Sequence, residues 1–478
     1  MQKYKQLAEK IIDDIQSTKL KQGDRMLSLR LFAKQHGVSV STAVSCYQDL
    51  EQRGWLEARP QSGFFICSQA PVVVTPSWQR FATQLATNVR PRVKPQVKPG
   101  PLGIACIELD VTVQRALDKS FRRVMTQSAS RLTQYPNKQG EPVLREALCS
   151  HFSQLGFALR SDELVITHGC MDAVKTALQI CVNAGDTVAV SSPCFNGLLE
   201  LLANLGLKVI EIPSVEDGID LDALERLFQN KQVQAGLFCT THMNPQGITM
   251  SAKQKQRLSQ LAGRYQVPVI EDDVYFELNH SDQLHLPTAY YDDNGYVIWC
   301  GSFSKTLSPS YRLGWCRPGK FVAKYTQQYE GVPTLIQTAI ADFIQTGAYS
   351  RHLKRTRQQL AINKQDYTRF FAQHLPQDSR ITQPDGGLVL WLQVSGLNSD
   401  KLSTEANKSN LDIRVGSVFT ESQRYDDCIR INIGFALNND IEHLLNRLVE
   451  LINSCRQPDS CVNVTLETEP LAVACKQE

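Results

Sequence analysis

The chain has 478 residues, 42% of them hydrophobic and 21% charged, with a formal net charge of +3. That length exceeds one ordinary domain and implies two or three. The composition is that of a globular protein in water, and the net charge is too small to mark a nucleic-acid binder by itself. The opening YKQLAEKIIDDIQS has charges at helical spacing and no apolar signal core, so no secretory leader is expected. No stretch approaches the roughly 20 uninterrupted apolar residues that cross a bilayer. The 14 cysteines form no C-x-x-C pair, which argues against a disulfide framework or a metal site. A cytoplasmic location with reduced thiols is the expectation.

Residues 1–66 form the first unit. Leu7, Ile11, Ile12 and Ile15 share one helical face. A second helix runs through SLRLFAKQHG, with Ser28 as its N-cap and Gly37 as its stop. Ser39 caps a third helix that buries Ala43, Tyr47 and Leu50. WLEARPQSGFFI then predicts two short strands around Pro60–Gly63, and the whole is a winged helix-turn-helix. In such heads the second helix of the turn motif enters the major groove by its N-terminal residues. That places Ser39, Ser41, Thr42 and Ser45 at double-stranded DNA, with Arg30 and the wing's Arg59 as cations. Ser62 and Gly63 form the wing tip that approaches the minor groove or backbone. The unit holds ten Lys/Arg against seven Asp/Glu, which already accounts for the whole net charge.

Residues 67–102 are a basic, proline-containing linker. Prolines stand at 71, 76, 91, 95, 99 and 101, and Arg80, Arg90, Arg92, Lys94 and Lys98 are unaccompanied by any acid. It serves either as a solvated tether, its ends roughly 30–35 Å apart, or as a segment that grazes DNA. The remainder of the chain is net acidic.

From 103 to 455, helical stretches alternate with the apolar runs LVITHG, DTVAVSS, KVIEIP, AGLFCT, VPVIEDD and VIWCGS. This implies an α/β body with a mostly parallel sheet, whose ligand sits beyond the carboxyl ends of the strands. The large lobe is expected over about 130–335. RHLKRTRQQLAINKQ and GGLVLWLQV belong to a smaller α+β lobe over about 340–455, and 456–478 is a loose tail.

The stretch GSFSKTLSPSYRLGW frames Lys305 as an amine that forms an imine with a phosphorylated aldehyde. Pyridoxal 5'-phosphate in that role needs helix N-terminal N–H groups and a cation for its phosphate, and a carboxylate for its pyridine nitrogen. It also needs donors for its ring oxygen and an aromatic for its face. Gly169 and Cys170 open a helix after LVIT, and Ser302 and Arg312 flank the lysine; these form the phosphate cup. Phe195 either stacks on the ring or belongs to the core, and Asn244 either reaches the ring oxygen or makes an ordinary Asn-Pro turn. Asp272, at the end of a strand, faces the pyridinium, and Tyr275 the ring oxygen.

Through YPNKQGEPVLREAL, THGCMDA, SSPCFNG, MNPQG, EDDVY, SFSKTLSPSYRLGW and RINIGFA, the body resembles the class I/II aminotransferases of fold type I. The resemblance implies that Lys305 carries the imine, Asp272 binds the ring nitrogen, and Asn244 and Tyr275 hold the ring oxygen. It implies that Arg430 takes the substrate carboxylate and that Tyr135 reaches the phosphate of a partner subunit, hence a homodimer. Head, linker and body together resemble the MocR subfamily of GntR-type transcriptional regulators. That implies a PLP-binding, DNA-binding regulator that senses an amino compound. The alternative is a working aminotransferase with an appended head. The chain departs from the family pattern in Gln246, in Cys170, in PLGIACIELDVTVQRAL, which lacks the proline-rich entry that covers the substrate in the enzymes, and in Val40 and Val44, where many GntR relatives have arginine.

Overall fold

The computed structural model describes residues 3–17, 19–21, 23–52, 54–59, 62–66, 73–78, 80–86, 97–127, 130–281 and 283–457, the side chains of 16, 52, 58 and 59 aside. The head is three helices, Lys3–Gln16, Leu29–His36 and Val40–Gln52, and an antiparallel hairpin of β1 (Leu56–Arg59) and β2 (Gly63–Ile66). The expected caps hold. Ser28 accepts from the Leu31 N–H, and Gly37, at φ 62°, takes the left-handed conformation that ends a helix without steric cost. Ser39 Oγ accepts from Thr42 N at 3.1 Å. Tyr47 is the centre of the head's core: its ring lies 4.9 Å from that of Phe32 and 5.1 Å from that of Phe64, and its hydroxyl donates to Leu27 O. Pro60 and Gln61 lie outside the described residues, as does the Arg59 side chain.

The linker is not free along its length. Residues 73–86, Gln79 aside, lie on the body. Val74 O accepts from Ile381 N, and β3 (Leu85–Ala86) adds antiparallel to the edge of the main sheet. Trp78 packs on Trp391, Phe419 and Cys428, and the Phe81 ring sits 3.8 Å from the Arg424 guanidinium. The reason is chemical: Val73, Trp78 and Phe81 are apolar surface that a solvated tether would leave in water. At its other end Leu102 is buried in the smaller lobe's core, and Gly100 N–H donates to Asp412. Residues 67–72 and 87–96 of the expected tether, and 458–478 of the expected tail, lie outside the described residues.

The body's main sheet contains β4 (Val165–Thr167), β5 (Thr187–Ser192), β6 (Lys208–Val215), β7 (Gly218–Ile219), β8 (Ala235–Phe238), β9 (Val269–Asp272), β10 (Val297–Ser302) and β11 (Gly314–Arg317). Its order is β3-β6-β5-β8-β9-β10-β11-β4, with β7 hairpinned to β6. The block β6-β5-β8-β9-β10 is parallel and buried, which is why its strands are continuous Val/Ile/Leu-rich runs. Strand order changes direction at β5, and such a switch opens a crevice for a ligand at the carboxyl ends. The smaller lobe is an antiparallel sheet of β12 (Arg380–Ile381), β13 (Val389–Gln393), β14 (Arg414–Val415) and β15 (Cys428–Asn432), in the order β12-β13-β15-β14. The helices Ala348–His374, Ser399–Lys408 and Asn439–Cys455 accompany it. Among the described residues no helix is long and apolar enough to cross a membrane.

Candidate functional site

The carboxyl ends of β4, β5, β8, β9 and β10 converge on a cleft of about 140 Å³ lined by Cys170, Phe195, Asn244, Asp272, Tyr275, Ser302, Lys305 and Arg312. Eight expected site residues, distant in sequence, are thus brought together. Met171, Cys239, Val274, Ser304 and Pro309 complete the walls. No pattern in the chain had marked those five.

One end of the cleft suits an anion. Gly169, at φ 89°, caps the helix Cys170–Cys181 with no side chain on its first N–H groups, which leaves those donors and the positive end of the helix dipole to a ligand. Arg312, itself at φ 47°, places its guanidinium over this turn, with Nη2 donating to His168 O at 3.2 Å. At this φ a side-chain-bearing residue would be strained, so the turn at Gly169 favours glycine, and a Cβ there would lie in contact with the Arg312 guanidinium, 3.4 Å from Nη2. The Ser302 hydroxyl is spent locally, 3.1 Å from Leu313 O and 2.8 Å from Ser304 Oγ. The Cys170 thiol points away from the cup and donates to Asp272 Oδ1 at 3.1 Å.

The two aspartates of EDDVY divide. Asp272, the last residue of β9, lines the cleft, and burial pushes its carboxyl up while the Cys170 thiol and the Lys305 ammonium pull it down. Asp273 turns under the sheet and accepts from the indole of Trp299 at 2.9 Å. Asn244 Nδ2 donates to the Tyr275 hydroxyl at 3.2 Å, so amide and phenol stand side by side at one edge of the cleft. Phe195 is half-buried on the cleft wall.

Lys305 sits in the turn after β10 and donates to Ala105 O at 2.7 Å. Burial, with the nearby Arg430 charge, lowers its ammonium from 10.5 to about 8. The neighbouring Thr306 hydroxyl meets Tyr349, which donates to Glu277 at 2.6 Å, and Glu277 meets His151 at 2.5 Å, a buried chain that pins the lysine turn.

Arg430, on β15, is buried at 3% exposure, and burial lowers its guanidinium from 12.5 to about 10. Its contacts are neutral: Nη1 donates to Asn244 Oδ1 at 3.3 Å, Nη2 to Gly103 O, and Nε meets no acceptor. The Phe419 ring lies 5.5 Å away. The segment around Gly103 and Ala105, the region that covers the substrate in the enzymes this body resembles, thus touches both cations. Tyr135 is outside the cleft and 96% exposed.

On the head, Ser39 Oγ lies 2.8 Å from both Ser41 Oγ and Thr42 Oγ1 at the start of the third helix, and Ser45 is half-buried. Arg30 and Ser62 are exposed. Gly63, at φ 101°, brings the wing against Arg25, whose Nε lies 3.5 Å from the glycine's Cβ position; Arg25 was not singled out from the sequence.

Comparison with known proteins matches residues 105–448 to the aminotransferase class I and II family and residues 3–66 to the gntR family of bacterial regulatory proteins. The chain is 33% identical to YdcR, an uncharacterized HTH-type transcriptional regulator of Escherichia coli, over 95% of this chain and 99% of that one. It is 27% identical to the probable rhizopine catabolism regulatory protein MocR of Rhizobium meliloti, over 84% and 87% of the two chains. Among solved structures, the α-aminoadipate aminotransferase LysN of Thermus thermophilus, complexed with N-(5'-phosphopyridoxyl)-L-leucine, matches with a TM-score of 0.67 at 22% identity, covering 74% of this chain and 91% of that one.

Proposed function

Because the chain belongs to the aminotransferase class I and II family and carries a gntR-family head before that body, we propose that it is a transcriptional regulator that binds DNA through the head, binds pyridoxal 5'-phosphate at Lys305, and senses an amino compound there. One observation carries the reading. The two cations that would meet such a compound, Lys305 and Arg430, both rest on carbonyls of the segment through which the body joins the linker. A buried guanidinium with one N–H unmet favours a carboxylate over a neutral carbonyl. An entering amino acid takes Arg430 with its carboxylate, releases Gly103, and so biases the segment that leads to the head. Coupling of this kind requires only that the two arrangements differ in affinity for the ligand.

Bound cofactor would supply an aldehyde that condenses with an amine and a ring that withdraws electron density from the amine's carbon. The chain's own residues fit it. The open cradle at Gly169 and Cys170, with Arg312, would hold the phosphate, and Asp272 would keep a proton on the ring nitrogen. Asn244 and Tyr275 would flank the ring oxygen, Phe195 would cover the ring, and Lys305, with its lowered ammonium pKa, keeps a share of neutral amine. The exposed Tyr135 reaches the phosphate in a second copy of the chain, which makes the working unit a homodimer.

The test is fluorescence anisotropy of the full chain on a duplex recovered by genome-wide mapping, with and without PLP and a panel of amino acids, beside single-turnover absorbance. DNA affinity is expected to change with PLP and with at least one amino compound, and Lys305→Ala to abolish both the PLP absorption band and the response. Fast turnover across the panel with unchanged DNA affinity refutes the regulatory reading and leaves the aminotransferase alternative.

A further inference from the structure

The third helix of the head presents an unusual surface to a major groove. Ala43, Cys46, Tyr47 and Leu50 are turned into the head's core, so the opposite face is fixed by the 3.6-residue period. That face carries Ser41, Val44, Ser45 and Gln48, and the helix Val40–Gln52 contains no lysine or arginine. At its first position Val40 is 48% exposed, an apolar side chain in water at the point where a recognition helix meets base edges. Val44 follows one turn later, half-buried. The hydroxyls of Ser39, Ser41 and Thr42 are engaged with one another beside it. The exposed cations Arg25, Arg30 and Lys34 lie off this helix, at the wing and on the preceding helix.

Guanine is read by arginine or lysine and cytosine by acids, whereas an apolar side chain distinguishes thymine through its C5-methyl group. Resting on the DNA-binding reading above, we propose that Val40, supported by Val44, is a specificity-determining residue that packs on thymine methyl groups, so that each half-site has thymine where the helix begins. Arg25, Arg30 and Lys34 grip phosphates on either side and carry the affinity common to all sequences. The head thus separates grip from reading: cations outside the helix, an uncharged face within it.

In vitro selection with the full-length chain from a random duplex pool provides the probe. Thymine is expected at the helix-facing positions of each half-site. The selected duplex, resynthesised with deoxyuridine at those positions, loses only methyl groups, and wild-type affinity is expected to fall about four-fold per contacted base. Val40→Ala is expected to bind the two duplexes equally. Selection of G·C at those positions, or equal wild-type binding of the thymine and uracil duplexes, overturns the inference and leaves DNA binding standing. Enrichment of no sequence at all overturns the DNA-binding reading and this inference with it.

Discussion

Titrating the ligand-free chain from pH 6 to 10 isolates Lys305. With its ammonium lowered to about 8 by burial and by Arg430, roughly 10% of the amine is neutral at pH 7; at the ordinary 10.5 it would be roughly 0.03%. The difference, about 300-fold, sets how fast the amine attacks an aldehyde. In stopped-flow absorbance the rate of PLP capture is expected to climb with pH and level off above about 8. Arg430→Gln removes a like charge from the amine's surroundings, so its levelling point moves to higher pH. The same shift has a stability side. Between pH 8 and 10.5 the unfolded chain binds more protons at this position than the native one, so native stability rises with pH across that window. Below it the full penalty remains, and a drop from 10.5 to about 8 corresponds to about 3 kcal/mol. Ligand-free Lys305→Met is therefore expected to resist urea better than wild type at pH 7 and to lose that advantage by pH 10. A capture rate still climbing at pH 10, or a downward shift in Arg430→Gln, refutes the electrostatic reasoning.

Tyr47→Ala empties the centre of the head's core and costs about 3–5 kcal/mol; DNA binding is expected to vanish while the PLP absorption band survives. Burial pushes the Glu277 carboxyl up, but His151 and the Tyr349 hydroxyl outweigh it and hold the group below 4.5. The stability Glu277 contributes is therefore present above pH 4.5 and lost as pH falls further. Glu277→Gln, expected to cost about 1–3 kcal/mol at pH 7, should flatten that loss in urea midpoints measured from pH 3 to 7. Trp78→Ala removes the linker's aromatic anchor on Trp391 and Phe419, and limited proteolysis between head and body is expected to speed up several-fold. An unchanged cutting rate would show that Trp78 does not hold the segment.

The head was legible because its signals are local. Ser28, Gly37 and Ser39 cap helices within three or four residues of themselves, and Ala43, Tyr47 and Leu50 repeat with the helical period. The strands of the body were legible for the same reason, as were the site residues that stand at their ends. What escaped depends on partners far along the chain. Gly103 and Ala105 meet cations some 330 and 200 positions away, through carbonyls that every residue possesses. Phe419 lies beside Arg430 only because the segment after β14 folds back over β15. The docking of 73–86 escaped because Trp78 and Phe81 stand among polar residues without period and Val73 lies in a short apolar run too brief to mark an element, so nothing in their spacing announced a surface. The direction of the Cys170 thiol is a rotamer choice set by the buried carboxylate opposite, which no spacing encodes.

The anchored stretch shortens the leash. Seven peptide steps separate Ile66, the last strand residue of the head, from Val73, the first described residue held on the body. Fully extended they span at most about 25 Å, less than one turn of the double helix. In a dimer the two heads are then satellites on fixed radii rather than beads on long strings. On the DNA-binding reading proposed above, the range of half-site spacings a dimer can span is then bounded by the bodies, and operators spaced beyond that reach are expected to bind more weakly even when each half-site is perfect. Inserting glycine and serine between residues 66 and 73 would leave the taste for each half-site unchanged and broaden the tolerated spacing.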